Sequence, residues 1–208
     1  MQDVTIKQTD PPIHTDRVLR IEPGSVLVTV GASGSGKTDW ARRNFRDGQV
    51  LGMDRLRAVI AGSETDESAT AEAFDVLLRI LEPRTRRGLT TVLDGTFLEP
   101  AARARILEIC RRYRRPTVAV CFHIPAELAQ YRNRVGGKPL GGKQLRAQVE
   151  RVREFTSAHV EGRNEEGWSQ VVFFGDVDTD LLPAIRFNLP APLPFPGPFD
   201  VIGDVHGC

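Results

Sequence analysis

The glycine-rich run at residues 31–38 constrains this chain more than any other feature. It reads Gly31-Ala32-Ser33-Gly34-Ser35-Gly36-Lys37-Thr38 and fits the pattern G-x-x-x-x-G-K-[ST] without a mismatch. A β-branched apolar run, 25–30, precedes it, and a helical pattern follows from Thr38. Glycines let backbone N–H groups curl toward phosphate oxygens, and a helix N-terminus adds partial positive charge. The sequence therefore predicts a loop that binds the phosphates of a nucleotide.

Two side chains of this loop have specific predicted roles. Lys37 is expected to bridge the β- and γ-phosphates, and Thr38 is expected to hold Mg²⁺ through its hydroxyl. A glycine-rich turn that binds nothing would need neither residue. No Asn-Lys-x-Asp guanine signature is present, which disfavours a GTPase. The residues predicted to bind the nucleotide are Gly31, Ser33, Gly34, Ser35, Gly36, Lys37 and Thr38.

Strand-like and helix-like patterns alternate beyond the loop. The predicted strands are 25–30, 50–53, 90–93, 117–122 and 171–174. Helical patterns separate them, at 38–45, 71–87, 99–114, from Pro125 onward and at 144–161. This alternation predicts an α/β fold of the P-loop NTPase type, a parallel sheet flanked by helices. The glycine-rich segment 136–142 breaks the helical region with a flexible loop.

Prolines alternate with other residues from Pro190 to Pro198 and predict a stiff extended linker. We therefore divide the chain into an N-terminal segment (1–24), a P-loop domain (25–180) and a proline-rich linker (181–199). Residues 200–208 read as the first strand and turn of a further domain that is cut short.

Two acidic residues follow predicted strands beside the loop. In open parallel sheets, ligands bind at the carboxyl ends of the strands. Asp54 could accept a proton from an attacking hydroxyl there, or could simply cap a helix. Asp94 sits where an acid reaches the Mg²⁺ shell, or else belongs to a turn. Arg57, three residues after Asp54, could clamp a phosphate of the acceptor.

Charge and cysteine content limit the ligands and the cellular location that can be expected for the chain. Net charge is only +1, so the whole molecule is not a basic nucleic-acid binder. Two arginine-rich blocks, 79–115 and 132–153, could still hold phosphates, or could coat solvated helix faces. Three cysteines without metal-type spacing, no signal-peptide pattern and no apolar run long enough for a membrane predict a cytoplasmic protein.

Several short motifs resemble the kinase module of bacterial polynucleotide kinase-phosphatases, which are RNA-repair enzymes. Besides the loop, these are Asp54-x-x-Arg57, Ala73-Phe74-Asp75-Val76-Leu77, Val92-Leu93-Asp94-Gly95-Thr96 and Arg132-Asn133. The resemblance covers about residues 25–175. Ile202-Gly203-Asp204-Val205-His206-Gly207 is similar to the opening metal motif of calcineurin-like phosphatases.

The resemblance implies a role for each matched residue. Lys37 and Thr38 would bind ATP and Mg²⁺, and Asp54 would be the general base on a 5′-OH. Arg57 would hold the phosphate next to that 5′ end, and Arg132 would belong to a lid over the ATP phosphates. The implied partners are RNA or DNA 5′-OH ends and the phosphatase and ligase-like modules of the same full-length protein. A homodimer is left open.

This chain departs from the family at two places. Phe97 stands where the family tends to have a polar Asn. The lid usually carries a second Arg soon after the first, and here Arg134, Lys138 and Lys143 are candidates. A P-loop kinase that acts on a small-molecule hydroxyl and a non-catalytic ATP-binding repair module therefore stay open as alternatives.

Overall fold

The structure is a computed structural model that describes residues 18–136, 140–163, 165–175 and 184–187. The strands are β1 Val18–Ile21, β2 Val26–Gly31, β3 Val50–Gly52, β4 Thr91–Asp94, β5 Thr117–Phe122, β6 Gln170–Phe174 and β7 Ala184–Phe187. The helices are α1 Lys37–Asn44, α2 Met53–Ala61, α3 Thr70–Arg86, α4 Pro100–Arg112, α5 Ala126–Val135 and α6 Gly142–Val160. Two short 3₁₀ turns cover Asp47–Gln49 and Glu67–Ala69.

Five strands form one parallel sheet in the order β3-β4-β2-β5-β6. The loop-bearing strand β2 is central and pairs residue for residue with β5. The predicted parallel α/β fold is therefore confirmed. Because all five carboxyl ends lie at one edge, this edge brings together the loop after β2, the end of β3 and the end of β4.

Helices cover both faces of the sheet, and the alternation along β2 shows why. Val26, Val28 and Val30 pack into the cluster that includes residues of α3, α4 and α6. Leu27 packs into the opposite cluster, which includes Trp40 of α1. Trp40 and Trp168 are 0% and 4% exposed, as expected for packing residues rather than base-stacking platforms.

Three elements were not predicted from the sequence. Helix α2 begins directly after β3, so Asp54 lies in its first turn and not at a strand end. Strands β1 and β7 pair in parallel as a separate two-stranded sheet, and β7 lies inside the range that we predicted as a linker. The proposed division into domains stays a prediction, and residues 200–208 lie outside the described residues.

Arg103 of α4 is the most deeply buried arginine of the described chain, at 3% exposure. Its Nε donates to Glu166 Oε2 at 2.8 Å, its Nη1 donates to the carbonyl of Phe97 at 2.8 Å, and its guanidinium lies 4.8 Å from the Phe155 ring centroid. Burial raises the pKa of Glu166, but the hydrogen bonds and charge of Arg103 outweigh it and leave that pKa lowered. This cluster ties α4 to the segment that precedes β6.

Arg103→Leu is expected to destabilise the protein by about 2 kcal/mol, because it leaves Glu166 and a buried carbonyl without their partner. Arg105→Leu is the matched control, since Arg105 forms an exposed pair with Asp75 and its loss should cost under about 0.5 kcal/mol. Urea unfolding of the two variants and the wild type measures both values. Equal losses of unfolding free energy in the two variants would show that the buried contacts of Arg103 contribute no more to stability than an exposed ion pair.

Several arginines of block 79–115 bind other parts of the protein. Arg84 and Arg115 hydrogen-bond to backbone carbonyls near the amino ends of the strands. Arg105 and Arg112 pair with acids on α3. A structural role for these side chains is favoured over the alternative that this block holds phosphates.

Candidate active site

The glycine-rich loop forms a cradle at the start of α1. Gly34 and Gly36 have φ values of 77° and 92°, which side chains with a Cβ rarely adopt. Gly36 is the N-cap of α1, so the first helical N–H groups face the loop. The N–H of Gly31 donates to the carbonyl of Thr96 at 3.1 Å and so links the loop to the segment after β4. The predicted loop therefore has the backbone geometry that a phosphate needs.

Lys37 folds back over this cradle. Its Nζ donates to the carbonyl of Ala32 at 2.6 Å and to Ser35 Oγ at 3.2 Å, and the residue is 7% exposed. Burial lowers the pKa of Lys37 to about 8, although the charges of Asp94 and Asp54 raise it in part. The ammonium group therefore already lies at the loop that is expected to receive the phosphates.

Asp94 is the last residue of β4 and is 8% exposed. Burial raises its pKa, while a hydrogen bond from Thr38 and the charge of Lys37 lower it in part. The next residue is fixed by Thr29, whose hydroxyl accepts from Gly95 N at 3.1 Å and donates to Gly95 O at 2.8 Å. Asp94 caps no helix, because the N-cap of α4 is Glu99. It lies beside Thr38 and Lys37, which act on its pKa.

Asp54 lines the same region, and its charge acts on both Lys37 and Asp94. The N-cap of α2 is Gly52, so the alternative that Asp54 is a cap does not hold. Its carboxylate pairs with Arg57, and Arg57 Nε donates to the carbonyl of Glu64 at 2.9 Å. The Asp54 side chain is 47% exposed and that of Arg57 is 16% exposed. Arg57 thus orients Asp54 while Asp54 stays accessible to a ligand.

One cleft of about 910 Å³ joins these groups, near the upper end of the range for small-ligand sites. The predicted site residues that line it are Ser33, Gly34, Gly36, Lys37, Thr38, Asp54, Asp94 and Arg132. Four others lie outside its lining, namely Gly31, Ser35, Arg57 and Arg134. Arg132 comes from α5, which lines the cleft together with α2. We call α5 the lid helix.

The lid helix packs directly against the loop, through contacts that the sequence did not reveal. A Cβ on Gly34 would lie 2.6 Å from the carbonyl of Ala129 and 3.0 Å from the N atom of Asn133. Ser33 Oγ lies 3.3 Å from Asn133 Oδ1 of the lid helix. The loop also contacts α6, because Ser33 N donates to Gln148 Oε1 at 2.8 Å. Asn133 follows Arg132 in the lid motif, which was the available signal, whereas nothing marked Gln148.

Gly34→Ala is expected to separate the lid helix from the loop, because its Cβ has no room and its φ is positive. We expect a loss of stability of about 1–2 kcal/mol and weaker ATP binding. Gly48→Ala is the matched control, since a Cβ there meets nothing within 4 Å. Thermal unfolding and ATP titration measure both effects. Unchanged ATP affinity in Gly34→Ala would contradict the proposed role of this contact.

The oxygens beside the loop suit Mg²⁺, which prefers carboxylate and hydroxyl oxygens together with phosphate and water. Among the described residues, Asp94 Oδ1 is a buried oxygen with no hydrogen-bond partner. Thr38 hydrogen-bonds to the same carboxyl group. Thr38 and Asp94 would therefore hold the ion, which would supply charge neutralisation to the phosphates.

A family model described as an AAA domain, AAA_33, matches residues 26–162. The chain belongs to this family. The match contains the loop, both acids and the lid helix, so the whole cleft lies inside the AAA_33 domain. No curated protein matches the chain in sequence.

Solved structures are similar to this AAA_33 domain to different degrees. A protein from Chloroflexus aurantiacus J-10-fl assigned as a kinase has a TM-score of 0.53 at 12% identity, over 77% of this chain and 92% of that one. This likeness, together with the parallel sheet and the loop, shows a P-loop fold. The APS kinase CysC of Mycobacterium tuberculosis has a TM-score of 0.48 at 16% identity, over 77% and 93%. The tunicamycin resistance protein of Deinococcus radiodurans has a TM-score of 0.45 at 13% identity, over 73% and 86%.

None of the described helices combines the length and the apolar character that crossing a bilayer requires.

Proposed function

We propose that the chain is an ATP-dependent polynucleotide 5′-hydroxyl kinase. The observation that carries this proposal is the cleft that is lined by Lys37 and Thr38 of the loop, by Asp54 and by Arg132 of the lid helix. A phosphate cradle that shares a cleft with an accessible carboxylate is the arrangement that phosphoryl transfer to a hydroxyl requires.

In the proposed step, the acceptor oxygen forms a bond to the γ-phosphorus while the bond from that phosphorus to the β–γ bridging oxygen breaks. The acceptor proton passes to the Asp54 carboxylate, and ADP leaves. Lys37 neutralises charge on the phosphates, and Arg132 can close over them from the lid helix. Positioning and charge stabilisation provide most of the catalysis in such a transfer.

Asp54 suits the role of base better than Asp94. Its side chain is half exposed on the cleft and is oriented by Arg57. Asp94 is buried beside Thr38, and its Oδ1 has no hydrogen-bond partner among the described residues, so it suits a metal ion better than a hydroxyl proton. In this proposal Asp54 is the general base and Asp94 is the metal ligand.

The 5′-OH of RNA or DNA is proposed as the acceptor because of the resemblance in residues 25–175, above all Asp54-x-x-Arg57. The phosphatase and ligase-like modules that the resemblance implies as neighbours belong to the same proposal. The use of ATP as the phosphate donor and the role of Arg57 as a clamp on the acceptor phosphate are also part of this proposal. In this structure the Arg57 guanidinium binds Asp54 and the Glu64 carbonyl.

A small-molecule hydroxyl is the second candidate, and the charge of the cleft favours it. Five acids line the cleft, namely Asp39, Asp47, Asp54, Glu64 and Asp94, against four cations, namely Lys37, Arg42, Arg55 and Arg132. Arg55 is moreover paired with Asp47 at 3.0 Å. A polyanionic acceptor would gain little from so balanced a lining.

Phe97, which stands where the resembled family tends to have Asn, gives little support to the alternative of a non-catalytic ATP-binding module. Phe97 is 6% exposed and does not line the cleft. Its ring packs beside Gly95, where a Cβ would lie 2.9 Å from Phe97 Cε2. The residue therefore fills the core behind the cleft instead of replacing a contact within it.

An acceptor screen tests the proposal. Wild-type protein, Mg²⁺ and ATP labelled at the γ-phosphate are incubated with 5′-OH RNA and DNA strands, with the same strands already 5′-phosphorylated, and with small-molecule alcohols. We expect label on the 5′-OH strands and none on the blocked ones. Label on small alcohols alone would establish the second candidate, and ATP binding without any transfer would indicate a non-catalytic module.

A further inference from the structure

The lid helix presents an exposed aromatic ring to the cleft. Tyr131 is 66% exposed and Val135, one turn later, is 70% exposed, yet both line the cleft beside Arg132. An apolar pair at i and i+4 on a helix normally faces the core. Within the described residues, no ring or guanidinium stacks on Tyr131. The pair is therefore available to a ligand in the cleft.

The position of the cleft in the sheet indicates which ligand this is. Besides the glycine-rich loop, α1 and the lid helix, its lining comes from β3, α2 and the carboxyl end of β4, through residues such as Val50, Gly52 and Asp54. Neither β6 nor α6 contributes to it. Tyr131 thus shares a chamber with the residue proposed to bind the acceptor hydroxyl.

The geometry of phosphoryl transfer separates the acceptor from the adenine of ATP. The attacking and leaving oxygens lie roughly in line on opposite sides of the phosphorus. The nucleoside of the leaving ADP therefore extends away from the side on which the acceptor enters. A ring that lines the same cleft as Asp54 is placed to meet the acceptor.

We propose that Tyr131, supported by Val135, is the platform on which the 5′-terminal base of the acceptor strand stacks. This inference rests on the proposed function and names the part of the acceptor that the protein recognises. An aromatic ring suits a base of any identity, because every base has a π-face. Stacking also explains how an acceptor could be held in a cleft whose charges nearly cancel.

Binding of two short RNA strands tests the platform. Both carry a free 5′-OH, and they differ only in that the second has an abasic ribose at its 5′ end. Calorimetry is done with Mg²⁺ and the ATP analogue AMPPNP present. Wild-type protein is expected to bind the complete strand about tenfold more tightly than the abasic strand. Tyr131→Leu should bind both strands equally, and Tyr131→Phe, which keeps the ring, should restore the preference.

Three results would overturn the inference. These are equal binding of the two strands by wild type, a preference that survives in Tyr131→Leu, or a loss of AMPPNP affinity in Tyr131→Leu that indicates adenine stacking or a lid contact. Phosphoryl transfer to the complete strand is measured separately. Its absence in wild type would refute the proposed kinase activity, while the binding ratio would still decide the role of Tyr131.

Discussion

Asp54→Asn is expected to lower kcat for phosphoryl transfer by about 10²–10⁴-fold, the usual contribution of a positioned general base. The amide keeps the size of the side chain but cannot take up the acceptor proton. ATP binding should be nearly unchanged, because the loop stays intact and the charge of Asp54 affects the pKa of Lys37 less than burial and Asp94 do. Single-turnover transfer with saturating ATP, combined with ATP titration, separates the two effects.

Asp75→Asn is the control for this variant. Asp75 is an exposed carboxylate of α3 that pairs with Arg105 and does not line the cleft. It should transfer phosphate at the wild-type rate. A rate for Asp54→Asn within a few-fold of wild type would remove Asp54 from the chemistry and leave it as a partner of Arg57.

Lys37→Met should reduce kcat/KM by about 10²–10³-fold, because it removes a preorganised charge from a buried site. Unlike Asp54→Asn, this variant should also bind ATP more weakly. Arg79→Met is the control, since it removes an exposed positive charge of α3 outside the cleft. Equal ATP affinity in Lys37→Met and wild type would show that the lysine stays bound to the Ala32 carbonyl throughout.

The same lysine gives ATP binding a pH dependence with a defined sign. The pKa of Lys37 is lowered to about 8, chiefly by burial. Bound phosphates favour the protonated form, so binding takes up a proton once the pH exceeds that value. ATP affinity should therefore fall as pH rises above about 8 in wild type. It should stay flat over the same interval in Lys37→Met, and a parallel fall in the two proteins would assign the effect to another group.

The sequence predicted the sheet and the loop because their signals are local. Buried parallel strands are continuous apolar runs, and Thr117–Phe122 was predicted with its observed bounds. The loop depends on glycines whose backbone angles few other residues adopt, as at Gly34 and Gly36. Both features can be read from neighbouring residues without knowledge of the fold.

The missed features depend on contacts between distant parts of the chain. Helix α2 starts immediately after a three-residue strand. The last residue of that strand, Gly52, is also the N-cap of the helix, so no polar capping side chain marks the boundary. Arg103 reads as one more surface arginine until Glu166 and Phe97 are seen around it. Tyr131 has an ordinary place in a helical pattern, and only the position of the lid helix places its ring on the cleft.

The position of the transferred phosphate tests the central claim most directly. RNA strands with a 5′-OH are incubated with wild-type protein and γ-labelled ATP, and the product is digested to mononucleotides with a nuclease that leaves 5′-phosphates. The proposed function predicts that all label is in the original 5′-terminal nucleotide, at up to one phosphate per strand, and that Asp54→Asn yields almost none. Unlabelled RNA, or equal labelling by Asp54→Asn and wild type, would contradict it.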